Sequence, residues 1–205
     1  GVCSMTVKLV GSTSGSVSLQ APASTTGGAH RVLTLPDADG IVALGDTGKI
    51  LQVVSATKTN TAVHNSATFA DIADLTVTLT TPKSGSKVLV SCDLMIGSED
   101  NNYAAFKILR DSTGIGVSSA ATGSSMTNCT FGVGLRGSFQ FRTQSVGYQI
   151  LDTHGANGST NVTYKLQWAG VYQTKNVYIN RPSQIDDQSY TLFGTSTITA
   201  MEIAA

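Results

Sequence analysis

All the aromatic side chains of this 205-residue chain, six Phe, six Tyr and one Trp, fall between Phe69 and Phe193. Residues 1 to 68 contain none. Aromatic rings supply much of the burial in a self-sufficient core, so the two parts of the chain cannot be stabilised in the same way. The first part reads as short strand-like pieces, Val2–Val10, Ser16–Gln20, Arg31–Leu35 and Ile41–Leu44. Turn-rich stretches such as Gly11-Ser12-Thr13-Ser14-Gly15 and Thr25-Thr26-Gly27-Gly28 separate them. Strands this short, with chiefly Val, Leu and Ile to bury, are marginal alone in water. They become stable when identical chains supply the missing faces, so an oligomer is expected.

From about Gly48 the pattern changes to longer strands with period-two alternation. Leu75, Val77 and Leu79 share one face of Leu75–Thr80, with Thr76, Thr78 and Thr80 on the other. Val88, Val90, Cys92, Leu94 and Ile96 line up on the next strand, and Val162, Tyr164, Leu166 and Trp168 on a later one. Phe139 and Phe141 alternate with Gln140 and Arg142, which predicts a strand over Ser138–Thr143. Further strands are expected at Lys49–Ala56, Tyr103–Arg110, Ser145–Leu151, Asn176–Asn180 and Thr195–Ile203. Ser, Thr and Gly make up about a third of the chain, a mixture that disfavours helix. The expected fold is all-β: an N-terminal segment of short anchoring strands over residues 1–48, then a β-sandwich of jelly-roll type over residues 49–205.

Charge narrows the partners. Thirteen basic and thirteen acidic residues give a formal net charge of zero, and only 13% of residues are charged. A nucleic-acid binder needs a basic surface to displace counterions, so none is expected. No apolar run approaches the roughly 18 residues of a membrane span. The chain begins with Gly and lacks the charged and apolar regions of a signal peptide, which fits a mature, trimmed or partial chain. Cys3, Cys92 and Cys129 are odd in number and widely spaced, so neither a disulfide framework nor a metal knuckle is expected.

Several motifs yield to plainer readings. Gly132-Val133-Gly134-Leu135-Arg136-Gly137 matches the dinucleotide fingerprint in letters, but that motif needs a helix behind it to meet the pyrophosphate. Gly45-Asp46-Thr47-Gly48-Lys49 lacks the Ser or Thr that a phosphate loop places on magnesium. Pro36-Asp37-Ala38-Asp39-Gly40 has turn chemistry and no Glu to complete a calcium loop. Glu99-Asp100 and Asp186-Asp187 read as solvated loop charges. His30, His64 and His154 are isolated from one another, and no Gly-x-Ser-x-Gly elbow occurs in a strand–turn–helix setting. No catalytic residue, metal or cofactor is expected.

The aromatics offer the better binding candidates. Trp168 shares a strand face with Tyr164 and Leu166, which places it in a core. Tyr178 lies opposite Val177 and Ile179 on its strand, which points it outward. Tyr190 and Phe193 lie in the polar stretch Asn180–Thr195, expected as an exposed loop. Tyr178, Tyr190 and Phe193 are therefore the candidate receptor-binding residues.

Parts of the chain resemble a known family. Gly15-Ser16-Val17-Ser18-Leu19-Gln20-Ala21-Pro22-Ala23 and Leu33-Thr34-Leu35-Pro36-Asp37-Ala38-Asp39-Gly40 resemble the shaft-like repeat of tailed-phage fibre proteins, especially those of aquatic phages. Phe106–Ser112 with Ile115-Gly116, Val177–Arg181 and the ending Gly194–Ala204 are similar to the C-terminal domain of such fibres. The resemblance implies a homotrimeric virion appendage without catalysis of its own. Its N-terminal segment would join other virion proteins, and its β-sandwich head would meet a glycan or protein of the host surface. A capsid decoration or head fibre without a dedicated receptor is the first alternative, and a free carbohydrate-binding module the second.

Overall fold

The structure is a computed structural model that describes the backbone of residues 6–10 and 16–20 and the whole of residues 48–137, 140–172 and 175–205. The chain divides into two compact units, Gly1–Leu44 and Gly45–Ala205. In the first, β1 (Thr6–Val10) pairs antiparallel with β2 (Ser16–Gln20), in register from Thr6↔Gln20 to Val10↔Ser16. The strands expected at Arg31–Leu35 and Ile41–Leu44, Cys3, His30 and the Asp37–Asp39 turn lie outside the described residues.

Every regular element described in the second unit is a β-strand: β3 (Ile50–Lys58), β4 (Ala62–His64), β5 (Ala70–Leu79), β6 (Lys87–Ser98), β7 (Asn102–Arg110), β8 (Thr113–Ile115), β9 (Phe131–Leu135), β10 (Thr143–Asp152), β11 (Val162–Gly170), β12 (Val177–Ile179) and β13 (Ser196–Ile203). All their pairings are antiparallel. Three lines of the sandwich are broken in two. β12 and β13 lie end to end along one edge of β6, at Ile96–Ser98 and Lys87–Asp93. β4 and β3 flank them in the same way, and β8 and β9 share one edge of β7.

With each broken line counted once, eight lines run B to I in chain order. B is β3/β4, C is β5, D is β6, E is β7, F is β8/β9, G is β10, H is β11 and I is β12/β13. The two sheets then read BIDG and CHEF. This is the strand order of a jelly roll.

Alternation builds the core as the sequence requires. Leu75, Val77 and Leu79 face Val88, Val90, Cys92, Leu94 and Ile96 across the interior, and Val162, Tyr164, Leu166 and Trp168 complete it. Phe106, Phe131 and Tyr148 stack in series, with ring centroids 5.0 and 5.1 Å apart. Trp168 is 4% exposed and stacks on His64 at 5.3 Å, so it belongs to the core as expected.

One strand expectation fails. Gln140 and Phe141 stand in a turn and Arg142 in irregular chain; Phe139 lies outside the described residues. The F-line strand is instead Phe131–Leu135. Its glycines masked it, because Gly weakens strand propensity. They are there for room: a Cβ on Gly134 would sit 3.1 Å from the Tyr103 ring, and one on Gly132 would sit 3.2 Å from the Ala104 carbonyl. The fingerprint-like glycines thus lie along a strand edge and its turn, with no helix behind them.

The two ends of the sandwich differ. At one end the chain enters, with the Gly48 amide donating to the Ala204 carbonyl and the Ala204 amide to the Lys49 carbonyl, both at 2.9 Å. At the other end lie the connections 65–69, 99–101 and 180–195, with the described residues of 136–142 and 171–176.

Candidate functional site

The distal connections are tied to one another. The Gln184 amide donates to the Gln140 carbonyl at 2.8 Å, and Gln140 Nε2 to Asp100 Oδ2 at 2.9 Å. Lys175 Nζ donates to the Asp100 carbonyl at 2.5 Å, and Asn176 Nδ2 to Glu99 Oε1 at 2.6 Å. Glu99 and Asp100 are therefore half-buried braces rather than solvated loop charges. The long 180–195 connection is pinned at its base by Asn180, which is fully buried in a left-handed conformation, φ 64°. Its Nδ2 donates to the carbonyls of Lys58 (2.8 Å) and Asn60 (2.9 Å), and its Oδ1 accepts from Ser196 Oγ at 2.6 Å.

Further along, Asp186 holds the loop in shape. Its carboxylate accepts from Thr191 Oγ1 at 2.5 Å and from Tyr190 Oη at 2.8 Å. The Thr191 bond and then the Tyr190 bond hold the Asp186 carboxyl below its ordinary value, and that same bond raises the Tyr190 phenol. Tyr190 is presented rather than tucked away: it is 53% exposed, with its ring edge-on to Phe141 at 5.8 Å. Phe193, at 56%, is exposed on the same loop.

Tyr178 faces away from the core as expected, but it is covered rather than exposed. It is 7% exposed, because Arg181 covers the ring face with its guanidinium 4.2 Å from the centroid. Burial, and next the Glu99 charge, raise the Tyr178 phenol above its ordinary value. Alternation did point it away from the core face, but it could not register the loop that folds over it.

Two clefts open among these loops. The first, about 480 Å³, is lined by Phe141, Arg142, Thr143, Gln144, Tyr190 and Leu192. The second, about 380 Å³, is lined by Asn101, Tyr103, Arg136 and Tyr172. There Tyr103 and Tyr172 meet edge-on at 5.9 Å, and Arg136 Nε donates to Tyr103 Oη at 2.8 Å. Periodicity could not find Phe141, Arg142 or Arg136, since none of them lies in a strand.

Folding also brings together a serine, a histidine and a carboxylate at the entry end. His154 Nε2 lies 3.0 Å from Ser86 Oγ, and Ser86 Oγ lies 2.6 Å from Glu202 Oε1. All three are buried. His154 Nδ1 accepts the Ala156 amide at 2.9 Å, so in the neutral ring the proton sits on Nε2. That nitrogen then donates to Ser86 and cannot act as its base, which a nucleophilic serine requires. The cluster ties the loops that carry Ser86 and His154 to β13. Among the described residues, no group of three or more His, Cys, Asp or Glu could hold a metal ion.

No protein-family model and no curated protein matches this chain. Among solved structures, T=1 particles derived from infectious bursal virus align at a TM-score of 0.40 and 11% identity, covering 85% of this chain and 41% of that one. Infectious bursal disease virus Gt strain aligns at 0.40 and 10%, covering 93% and 48%. The Gx strain aligns at 0.38 and 12%, covering 93% and 43%. This chain spans less than half the length of each of these chains. The fold assignment rests on the strand order itself.

Proposed function

We propose that this chain is a structural protein of a virion: a trimeric, non-catalytic fibre of a tailed phage whose jelly-roll head adheres to a host surface. The observation that carries the reading is the division of labour between the two ends of the head. Near chain entry, the outer face of the BIDG sheet bears an apolar row across four strands, Val53, Met201, Leu89 and Leu151, in direct register. Val53 is 51% exposed and Leu151 53%. The next row, Ser55, Thr199, Ser91 and Gln149, is short or uncharged. An apolar, weakly charged sheet face of this kind is what further copies of the same chain would cover.

The distal end carries braced loops with exposed aromatics, the usual form of a recognition surface on a rigid scaffold. The sequence resemblance to phage fibres supports the same reading. A capsid decoration would use the same apolar face but make no use of the distal aromatics. Labelled protein incubated with susceptible and resistant host cells separates the two. Adhesion is expected on susceptible cells only, and reduced by Tyr190→Ala with Phe193→Ala; equal or absent retention on both cell types would overturn the fibre reading.

A further inference from the structure

We propose that the distal clefts take an anionic saccharide, with Arg142 as its charge-recognising residue and Tyr190 and Phe141 as its stacking walls. The proposal rests on the adhesion reading and names the class of ligand. The first cleft combines two perpendicular aromatic rings, the exposed Leu192, the amide of Gln144 and the hydroxyl of Thr143. Aromatic walls suit the apolar face of a sugar ring, and amide and hydroxyl groups suit its hydroxyls.

Charge selects among sugars. Arg142 is exposed and has no carboxylate partner among the described residues. Asp186 accepts from Tyr190 and Thr191 and Asp100 from Gln140, neutral donors that leave both carboxylates charged, and neither forms an ion pair with Arg142. The second cleft repeats the arrangement. Arg136 stands beside Tyr103 and Tyr172, likewise without a carboxylate partner among the described residues. Two guanidinium groups without an ion-pair partner among the described residues thus stand beside aromatic rings. A guanidinium takes carboxylate or phosphate in two-point contact, so the shared chemistry is an acidic group on a sugar.

Calorimetric titration of the full chain with three probes tests this: tetragalacturonic acid, its carboxyl-reduced neutral counterpart, and a phosphorylated oligomannose. Binding is expected for one or both acidic probes, weakening with added salt, and for the neutral probe at least about tenfold weaker. Arg142→Ala should cost the acidic probes about tenfold or more, and the neutral probe less than that. Tyr190→Ala should weaken every sugar that binds. Preference between the two acids tells carboxylate from phosphate. Equal affinity for the neutral probe, indifference to Arg142→Ala, or no binding of any probe would overturn the ligand class. If cells still retain the protein in a Tyr190-dependent manner in that last case, adhesion stands and the partner is a protein. Arg142 is exposed and makes no ion pair among the described residues, so unchanged thermal unfolding of the variant serves as its control.

Discussion

Asn180 concentrates the physics of the distal loop in one residue. A left-handed backbone favours Gly, which has no Cβ to crowd the following carbonyl, and Asn, whose short polar side chain can bond to the backbone nearby. Its side chain also satisfies the buried Lys58 carbonyl, the part-buried Asn60 carbonyl and the buried Ser196 hydroxyl. Asn180→Gly keeps the backbone and loses the bonds, whereas Asn180→Ala loses both. We expect the Gly variant to lose about 1–3 kcal/mol for the groups left unsatisfied, and the Ala variant about 1 kcal/mol more. Denaturant unfolding of the two measures the order; an Ala variant as stable as the Gly variant would contradict it. Gly97 makes a second test in the same place. A Cβ there would stand 2.2 Å from the Arg181 carbonyl oxygen and 2.8 Å from Pro182 Cα, which are backbone atoms and cannot swing aside. Gly97→Ala should destabilise the protein by about 1–3 kcal/mol and shift the loop. The readout is thermal unfolding together with weaker retention on host cells.

The elements show where alternation is informative and where it stops. The D, H and C lines were legible because each buries one face and solvates the other, so Val, Leu, Ile and Trp fall on every second residue. The F line was not, since Gly132 and Gly134 were selected for close approach to β7 and left no apolar rhythm. Phe141 misled for the opposite reason: an exposed aromatic beside Arg142 alternates like a strand but serves a cleft. Tyr190 and Phe193 were legible as exposed, because a polar stretch with isolated rings has little else to do with them. The two arginines were not, because their significance lies in missing partners. At the entry end the joining of elements depends on pH. Burial raises the Glu202 carboxyl, but bonds from Ser86, Gln52 and the Lys83 amide outweigh it and hold the group below its ordinary value near 4.5. A carboxyl lowered on folding contributes stability above its unfolded value, and that contribution is lost as pH falls through the folded one. Stability should therefore decline below about pH 4–5, and Glu202→Gln should flatten the decline while costing about 1–3 kcal/mol at neutral pH. Unfolding curves at pH 3 to 7 for both proteins give the answer.

At the scale of the molecule, the proposed function asks the jelly roll to divide its surface between association and recognition. Both sheets bury their inner faces against each other, so the fold of Gly45–Ala205 needs no partner for its own core. Among the apolar surfaces it leaves uncovered is the outer row on BIDG, where Val53 and Leu151 are half exposed. The aromatic-free first part has the complementary need, for it holds no ring with which to fill a core. Both needs are met when several copies assemble, and a threefold axis is the symmetry that the fibre resemblance implies. Light scattering on the full chain tests this central claim most directly, run beside the Val53→Asp, Leu151→Asp double variant. The account predicts a mass near three times 21.2 kDa for the native chain and a shift toward 21.2 kDa for the variant. A folded native protein that stays at 21.2 kDa across the concentration range would contradict it.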